Sequence, residues 1–245
     1  MNPTVPQIGF DRFIQLDWVT AALKVRADMA SLDELNALLD AAGLGKEAKA
    51  KTRTKLNTLA LEPRADLVDF IDRGVQLFKG TEDPSELTAF AWGAAIATYP
   101  FFGRVAEFIG RLSSIQGDCT SSEIYRRMIE VYGDRQSMKR SVQYVIQTQA
   151  SWGAIERLQK GTRLVRLPTK SITKDIAIAW LVEAALRFQG KAVSLSALQS
   201  LPVIYPFALK QSLGYLMTNS PMLEVRSEGP SNQVVALREL ICSKP

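Results

Sequence analysis

Residues 118–168 have the sequence DCTSSEIYRRMIEVYGDRQSMKRSVQYVIQTQASWGAIERLQKGTRLVRLP and carry the clearest structural signals in the chain. A helix is predicted to begin at Thr120 or Ser121, because either side chain can cap the first turn, in which Glu123 follows. Its apolar residues recur at spacings of three and four, and a Gly-Asp pair at 133–134 ends it in a turn. The first part of the stretch therefore predicts a capped amphipathic helix.

The second part of the stretch changes from helical to strand character. A helix is predicted over 136–150, since its apolar residues again share one face. Two short runs, 154–158 and 164–167, hold strand-forming residues, and the glycine and polar residues at 159–162 are typical of a hairpin tip. With a further amphipathic helix over 104–115 in front, the order of elements is that of a winged helix-turn-helix.

The first hundred residues predict helices and no strands. Ser31 followed by Glu34 forms a capping box, and Gly43 is a typical stop signal, so the helix between them has clear ends. Proline residues mark later boundaries. The predicted helices cover 17–28, 32–42, 46–59, 65–78 and 87–98.

The last part of the chain repeats the order of helices and hairpin more faintly. The stretch 170–173 is the predicted junction in front of it. Helices are predicted over 174–188, 194–200 and 205–217, and alternating runs at 223–226 and 233–237 flank a Glu-Gly-Pro tip at 228–230. This pattern favours a second, degenerate winged helix.

The elements together predict a mainly α protein with three parts. These are a helical domain over 1–100 with helix-turn-helix character, a winged helix-turn-helix over 101–172, and the degenerate winged helix over 173–245, both winged units having small β-hairpin wings.

Composition argues against catalysis. The chain has no histidine, the side chain most used for acid–base chemistry near neutral pH and the commonest metal ligand. Its two cysteines, Cys119 and Cys242, are far apart and form no zinc or disulfide pattern. Glycine-rich nucleotide loops and ligand clusters are also lacking. We therefore expect a non-enzymatic protein without cofactor or metal, located in a reducing cytoplasm, since the first residues do not resemble a signal peptide.

One uncharged stretch, residues 87–103, has to be weighed as a membrane segment. It falls just short of the roughly 18 apolar residues of a spanning helix and contains threonine, proline and glycine. A buried core helix is the favoured interpretation, with Trp92, Tyr99, Phe101 and Phe102 as core residues. Trp152 is expected to pack the hairpin against the helices.

Positive charge is concentrated in the predicted winged helix. Residues 101–172 hold 12 Lys and Arg against 6 acids, whereas residues 1–100 hold 11 against 14 and residues 173–245 hold 7 against 5. In a winged helix-turn-helix the last helix of the motif enters the major groove and the wing contacts a neighbouring phosphate or groove. Positively charged and amide side chains at these places can bind phosphates and base edges of double-stranded DNA.

The candidate DNA contacts follow from this geometry. On the outer side of the predicted 136–150 helix they are Arg135, Gln136, Ser137, Lys139, Arg140 and Gln143. On the wing they are Lys160, Thr162 and Arg163. The alternative is that these charges are an ordinary solvated face, but the predicted recognition helix and wing are both basic and free of acids.

A second basic cluster lies in the sequence LGKEAKAKTRTKL of residues 44–56. Lys46, Lys49 and Arg53 share one helical face, and the preceding glycine-rich turn makes this region similar to a helix-turn-helix. A DNA contact and a solvated face of a helical bundle are equally favoured interpretations.

These features resemble the BrxA family of the BREX bacteriophage-defence systems over residues 16–167. The resemblance rests on the basic stretch just quoted, ATYPFF at 97–102, SSEIYRRMIEVYGDRQSMKRSVQYV at 121–145, and WG at 152–153. It implies a helical, non-enzymatic DNA-binding protein encoded beside a methyltransferase and a large ATPase. The residues carried over are Lys46, Lys49, Arg53, Lys139 and Arg140.

The function expected from the sequence is thus an accessory protein of a BREX-type system that binds double-stranded DNA, with other defence proteins as further candidate partners and no membrane. Two alternatives stay open. One is a protein–protein assembly adaptor, because winged helices often mediate assembly and residues 173–245 are poor in positive charge. The other is a transcriptional regulator that uses the same surface.

Overall fold

Helices form most of the N-terminal part of the computed structural model, which describes residues 6–209, 212–229 and 232–238. A π-helical turn extends the third helix over Asn57–Leu61, and a 3-10 turn at Ala65–Leu67 leads into the fourth. The α-helices are α1 Leu16–Arg26, α2 Leu32–Ala41, α3 Lys46–Leu56, α4 Val68–Lys79 and α5 Pro84–Thr98.

Local signals set several of these helix ends as predicted. Ser31 and Glu34 form the reciprocal capping box in front of α2. The start of α5 lies earlier than predicted, because the Asp83 side chain accepts from two backbone N–H groups and Pro84 occupies the first turn. Tyr99 is extended between α5 and α6, as expected for a residue that precedes proline.

The central part has the helices and hairpin expected of it. The hairpin strands agree with the prediction to within about a residue, and a short strand β1 in front of α7 was not predicted. The elements are α6 Pro100–Gln116, β1 Asp118–Thr120, α7 Ser121–Tyr132, α8 Met138–Ser151, β2 Ile155–Leu158 and β3 Arg163–Arg166. They form a three-stranded antiparallel sheet in the order β1-β3-β2.

The start of α8 corrects one detail of the prediction. The helix begins at Met138, two residues later than expected. Gln136 and Ser137 therefore lie in the turn between α7 and α8 and not on the helix. Thr120 caps α7 through a capping box with Glu123, which confirms the predicted start of that helix.

The last part contains α9, a parallel pair of strands and a second three-stranded antiparallel sheet. The predicted helix over 205–217 is wrong: this stretch holds the strand β6 and a short helix α10. Pro206 cannot donate in a helix, and its carbonyl accepts from the Lys170 N–H at 2.7 Å, which starts a parallel pairing of β6 with β4. The elements are β4 Lys170–Ile172, α9 Asp175–Gln189, β5 Val193–Ser194, two 3-10 turns at Leu195–Ser200 and Pro202–Ile204, β6 Phe207–Leu209, α10 Leu213–Asn219, β7 Leu223–Ser227 and β8 Gln233–Leu237.

The second antiparallel sheet repeats the topology of the first. Its strands have the order β5-β8-β7, so the last strand lies between the other two, as β3 lies between β1 and β2. Each sheet follows one helix and is completed by a hairpin after another helix, α10 being half the length of α8. Of the predicted tip at 228–230, Pro230 lies outside the described residues.

A single hydrophobic core runs through all three predicted parts. Three buried indoles each donate to a distant backbone carbonyl: Trp92 to Val203, Trp152 to Ile14 and Trp180 to Phe70, at 2.9 to 3.0 Å. The predicted junction at 170–173 includes β4, which pairs with β6 and ties the parts together further.

The uncharged stretch 87–103 is part of this core, as predicted. Trp92, Phe101 and Phe102 are fully buried, and the break at Tyr99 divides the stretch between α5 and α6. Across the described ranges, every helix is too short or too polar to cross a membrane.

Candidate nucleic-acid interface

The inner face of α8 is fixed by buried contacts. Met138, Val142, Val145 and Ile146 are at most 1% exposed. The Thr148 hydroxyl accepts from the Ile14 N–H at 3.0 Å. These contacts hold the helix rigidly and direct its other face outward.

A second buried hydrogen bond anchors the C-terminal end of α8. The Tyr205 hydroxyl donates to Gln149 Oε1 at 2.9 Å. Complete burial raises the pKa of Tyr205 well above its ordinary value, so the phenol stays protonated and keeps donating. The C-terminal end of α8 is thus held by two groups outside its own motif, the Ile14 N–H and the Tyr205 hydroxyl.

The outer side of the turn and of α8 has most of the predicted contact residues. Gln136, Ser137 and Lys139 are exposed, and Gln143 is half-buried. Lys139 has no hydrogen-bond or ion-pair partner within the described part of the chain. Arg135 differs, since it donates to the carbonyl of Pro6 at 3.1 Å and so links the turn to the N-terminal segment.

Arg140 is held in place by an aromatic ring that the sequence analysis did not single out. Its Nε donates to the Tyr144 hydroxyl at 2.8 Å, and its guanidinium carbon lies 5.4 Å from the ring centroid. The guanidinium carbon of Arg12 lies 5.9 Å from the same centroid. Two positive charges from distant parts of the sequence therefore meet at Tyr144.

Arg12 could not be found from periodicity, because it precedes the first helix. The only local signal is its position between Phe10 and Ile14, both fully buried. That pattern indicates a segment packed on the core with one basic side chain directed elsewhere. Arg12 lies near α3 and α8 only in the folded chain, so its neighbours cannot be predicted from the local sequence.

Of the two predicted contact cations on the β2–β3 hairpin, which is the predicted wing, one is free and one is neutralised. Lys160 is exposed at the tip, where it adopts a left-handed backbone conformation with φ +57°, next to Gly161 with φ +86°. Arg163 forms an ion pair with Asp118 of β1. The Thr162 hydroxyl donates to the carbonyl of Gln159. Lys160 is therefore the predicted wing cation best placed to contact an external anion.

The backbone of the wing tip also supports the start of α7. The carbonyl of Thr162 accepts from the Ser121 N–H at 2.9 Å. One of the unpaired donors of the first helical turn is thereby satisfied. A hydrogen bond thus joins the hairpin tip to the N-terminus of α7.

The predicted basic face of α3 divides into free and engaged residues. Lys46 is exposed and has no partner in the described ranges. Lys49 pairs with Asp40 of α2. Arg53 donates to Asn36 of α2 at 2.6 Å and to Asn57 at 2.9 Å, so it holds α2 and α3 together.

The helices α3 and α8 border a cleft of about 320 Å³. Its lining includes Lys51 of α3 and Arg140 of α8, together with Tyr144 and Arg12. One basic residue of each predicted region, Lys51 and Arg140, thus lines a common cleft, whereas the predicted α3 contacts Lys46, Lys49 and Arg53 are not in its lining. This cleft is called the α3–α8 cleft below.

Cys119 of β1, the cysteine within the described residues, is buried and is not activated as a nucleophile. Burial raises the pKa of the Cys119 thiol to about 12, which keeps it protonated at neutral pH. In the described residues, no group of three or more Cys, Asp or Glu side chains is arranged to hold a metal ion. What the surface can do chemically is bind anions through its free lysines and oriented arginines.

The chain was compared with known proteins at the level of family, sequence and structure. No protein-family model matches it, and no curated protein or solved structure does.

Proposed function

We propose that this chain is a non-enzymatic protein that binds double-stranded DNA. The supporting observation is the α3–α8 cleft, which Lys51 of α3 and Arg140 of α8 line together. Lys46 and Lys139, on the same two helices, are exposed and have no side-chain partner among the described residues. Free cations on one surface attract the phosphate backbone, which supplies most of the affinity in DNA binding.

The order of elements from α6 to β3 supports a more specific proposal. Helix, short strand, helix, turn, helix and hairpin, with the sheet order β1-β3-β2, are the parts of a winged helix-turn-helix. In that arrangement α8 is the recognition helix and the tip around Lys160 is the wing. The second sheet, with the same strand order, then belongs to the degenerate winged helix.

The contact residues divide by the chemistry that they offer. Lys139, Lys160 and Lys46 are point charges suited to phosphates, and Ser137 in the turn is a phosphate donor. Gln136 and Gln143 carry amides that can pair with adenine, and Arg140 can pair with guanine or a phosphate. Lys49, Arg53 and Arg163 act mainly by holding the surface in shape, since each has an internal partner.

The first test is charge reversal on α8, measured by fluorescence anisotropy with a labelled duplex at several salt concentrations. We expect the wild-type affinity to fall as salt rises, and Lys139→Glu with Arg140→Glu to weaken binding roughly a hundredfold. The matched control is Lys24→Glu with Lys79→Glu, two exposed lysines on α1 and α4, which should change affinity by less than about threefold. A wild type without affinity at low salt, or an α8 variant that binds normally, disproves the proposal.

The resemblance to the BrxA family supports a more specific role, that of a cytoplasmic accessory protein in a BREX-type defence system. The test is phage plating on a host that carries the complete system. We expect the α8 double variant to lose protection and the Lys24/Lys79 control to keep it. If both variants protect equally well, DNA binding through α8 is not needed for defence and the more specific role is wrong.

One observation favours a protein–protein adaptor as a second candidate function. The helix α10 has no charged residue, and its Tyr215 is 75% exposed. Nearby on α9, Ile176 is 61% exposed beside an apolar groove lined by Trp180 and Met222. Exposed apolar side chains of this kind are typical of contact surfaces between proteins. A Tyr215→Ser variant that loses defence and keeps its DNA affinity would support this role, whereas normal defence would count against it.

A transcriptional regulator would use the same DNA-binding surface. It differs in preferring one operator sequence. Binding to the chain's own promoter at least about a hundredfold tighter than to unrelated duplex DNA would distinguish it.

A further inference from the structure

The α3–α8 cleft collects positive charges from three separate segments. Arg12 comes from the chain in front of α1, Lys51 from α3 and Arg140 from α8. One carboxylate, Glu47, lines the same cleft. Three positive charges against one negative charge leave an excess that favours an anion.

The two arginines are oriented before any ligand arrives. Both guanidinium carbons lie within 6 Å of the centroid of the Tyr144 ring, and Arg140 also donates to its hydroxyl. Arg12 Nη1 donates to the carbonyl of Asp11, whereas its buried Nε has no hydrogen-bond partner among the described residues. A buried donor without a partner costs free energy that a bound acceptor would recover.

Glu47 neutralises the third positive charge, that of Lys51, in the absence of a ligand. It forms an ion pair with Lys51 one helical turn away, and the two side chains are 80% and 46% exposed. Lys51, and to a smaller extent Arg12, lower the pKa of Glu47, so it is ionised at neutral pH. Exposed pairs of this kind are weak, so a stronger anion can displace the carboxylate.

We propose that the α3–α8 cleft is a phosphate-binding site in which Glu47 competes with the phosphate for Lys51. Arg12, Lys51 and Arg140 donate to the phosphate oxygens, and the Glu47 carboxylate swings into solvent as the phosphate enters. The proposal rests on the proposed function in one respect: the expected source is a phosphodiester of the DNA backbone. The N-terminal helix α3 and the recognition helix α8 then hold the same phosphate, which fixes the register of the protein on the duplex.

Removal of the Glu47 charge gives the decisive variant, because the proposal predicts a gain in DNA affinity. Glu47→Gln should bind a duplex about three- to tenfold more tightly than wild type, since Lys51 no longer has to leave a partner. Lys51→Gln and Arg12→Gln should each weaken binding roughly tenfold and reduce the salt dependence by about one phosphate contact. The matched control is Glu82→Gln, which removes an exposed carboxylate on another element and should have less than about a twofold effect.

A double variant separates a local mechanism from a general change in net charge. In the Lys51→Gln background, Glu47→Gln should give no further gain, because the two residues act through one ion pair. An equal gain in affinity with and without Lys51 would mean that only net charge matters. Competition between Glu47 and the phosphate for Lys51 would then be wrong. Thermal melting of each variant checks that the fold is retained.

Two further probes identify the source of the phosphate. Inorganic pyrophosphate should raise the melting temperature of wild type and not of Arg12→Gln or Lys51→Gln. A closed circular duplex should show the same variant effects as a linear one if the ligand is an internal phosphodiester. If only a linear duplex with 5′-phosphates shows them, the site takes terminal phosphates and the backbone assignment is wrong.

The outcomes also separate the cleft from the proposed function. If wild type binds duplex DNA and all three cleft variants bind equally well, the phosphate site is wrong and DNA binding stands. If no duplex binds but pyrophosphate stabilises the protein through Arg12 and Lys51, DNA binding is wrong and the phosphate site stands.

Discussion

Gly110 marks the closest approach between α6 and the last part of the chain. A Cβ built on this residue would lie 2.1 Å from the carbonyl oxygen of Pro202 and 2.9 Å from the Cβ of Tyr205. Both obstacles belong to the backbone or its immediate attachment, so neither can move aside by rotating a side chain. The helix can pack against the 3-10 turn at Pro202–Ile204 only without a side chain at this position.

A single methyl group at Gly110 should therefore be costly. We expect Gly110→Ala to lower the free energy of unfolding by about 3 kcal/mol, measured by urea denaturation. The matched substitution is Gly214→Ala in α10, where the nearest atom to a new Cβ is a leucine methyl group at 3.5 Å. There the better helix propensity of alanine should raise stability by about 0.5 kcal/mol. Equal effects of the two substitutions would contradict the close approach.

The elements differ in how far local chemistry alone defines them. The helix α7 begins where Thr120 and Glu123 cap each other, and these residues stand three apart in the sequence. Hydrogen bonds from the Thr120 N–H and hydroxyl lower the pKa of Glu123. A group whose pKa is lower in the folded state stabilises the fold above its ordinary pKa, and this contribution disappears as pH falls through the folded-state pKa.

This capping box gives a prediction with a defined pH dependence. Thr120→Ala should cost about 1 kcal/mol of unfolding free energy at pH 7. The cost should be smaller at acidic pH, below the folded-state pKa of Glu123, than at pH 7, because the protonated carboxyl accepts more weakly from the Thr120 hydroxyl. In the variant, the pKa of Glu123 should move part of the way back toward its ordinary value in an NMR titration, since the hydrogen bond from the backbone N–H remains. Ser122→Ala, at an exposed neighbouring position, serves as the control with little effect at either pH. A larger cost at low pH would contradict the assigned role of Glu123.

The same distinction explains which elements could be predicted from the sequence. The helices from α1 to α9 and the hairpin strands follow from caps, periodicity and turn residues within a few positions. The prediction of a helix over 205–217 was wrong because the pairing of β6 with β4 depends on residues more than thirty positions away. Pro206 was the one local signal against that helix. The candidate site divides in the same way: Lys139 and Lys46 are accessible to pattern analysis, whereas the meeting of Arg12 with Tyr144 is not.

At the scale of the whole molecule, the three predicted parts share more than neighbouring surfaces. Trp180 of α9 stacks on Phe70 of α4 at 4.4 Å, and its ring occupies the space left by Gly74 and Gly93. Glu183, also on α9 and buried, pairs with Arg73 of α4. The last part is therefore built into the N-terminal helices and is not tethered beside them.

This shared core predicts cooperative unfolding. Urea denaturation followed by tryptophan fluorescence and by far-UV circular dichroism should give one transition with coincident midpoints. A fragment of residues 101–172 should fail to fold alone, because Phe102 and Trp152 would lose their contacts with Trp92. Two separated transitions, or a fragment with a sharp melting transition, would show that the parts fold independently.

The hydrogen bonds that join Ile14 to α8 and to the residue that follows it constrain the order of events during protein synthesis. Ile14 and its partners Thr148 and Trp152 are separated by 134 and 138 residues. At typical elongation rates of about 5–20 residues per second, the first segment waits on the order of ten seconds before the residues that cover it have been made. During that interval Ile14 lacks both of these hydrogen-bond partners. Arg12 reaches Tyr144 only after α8 has been made, so a ribosome-bound chain completes the α3–α8 cleft late in synthesis.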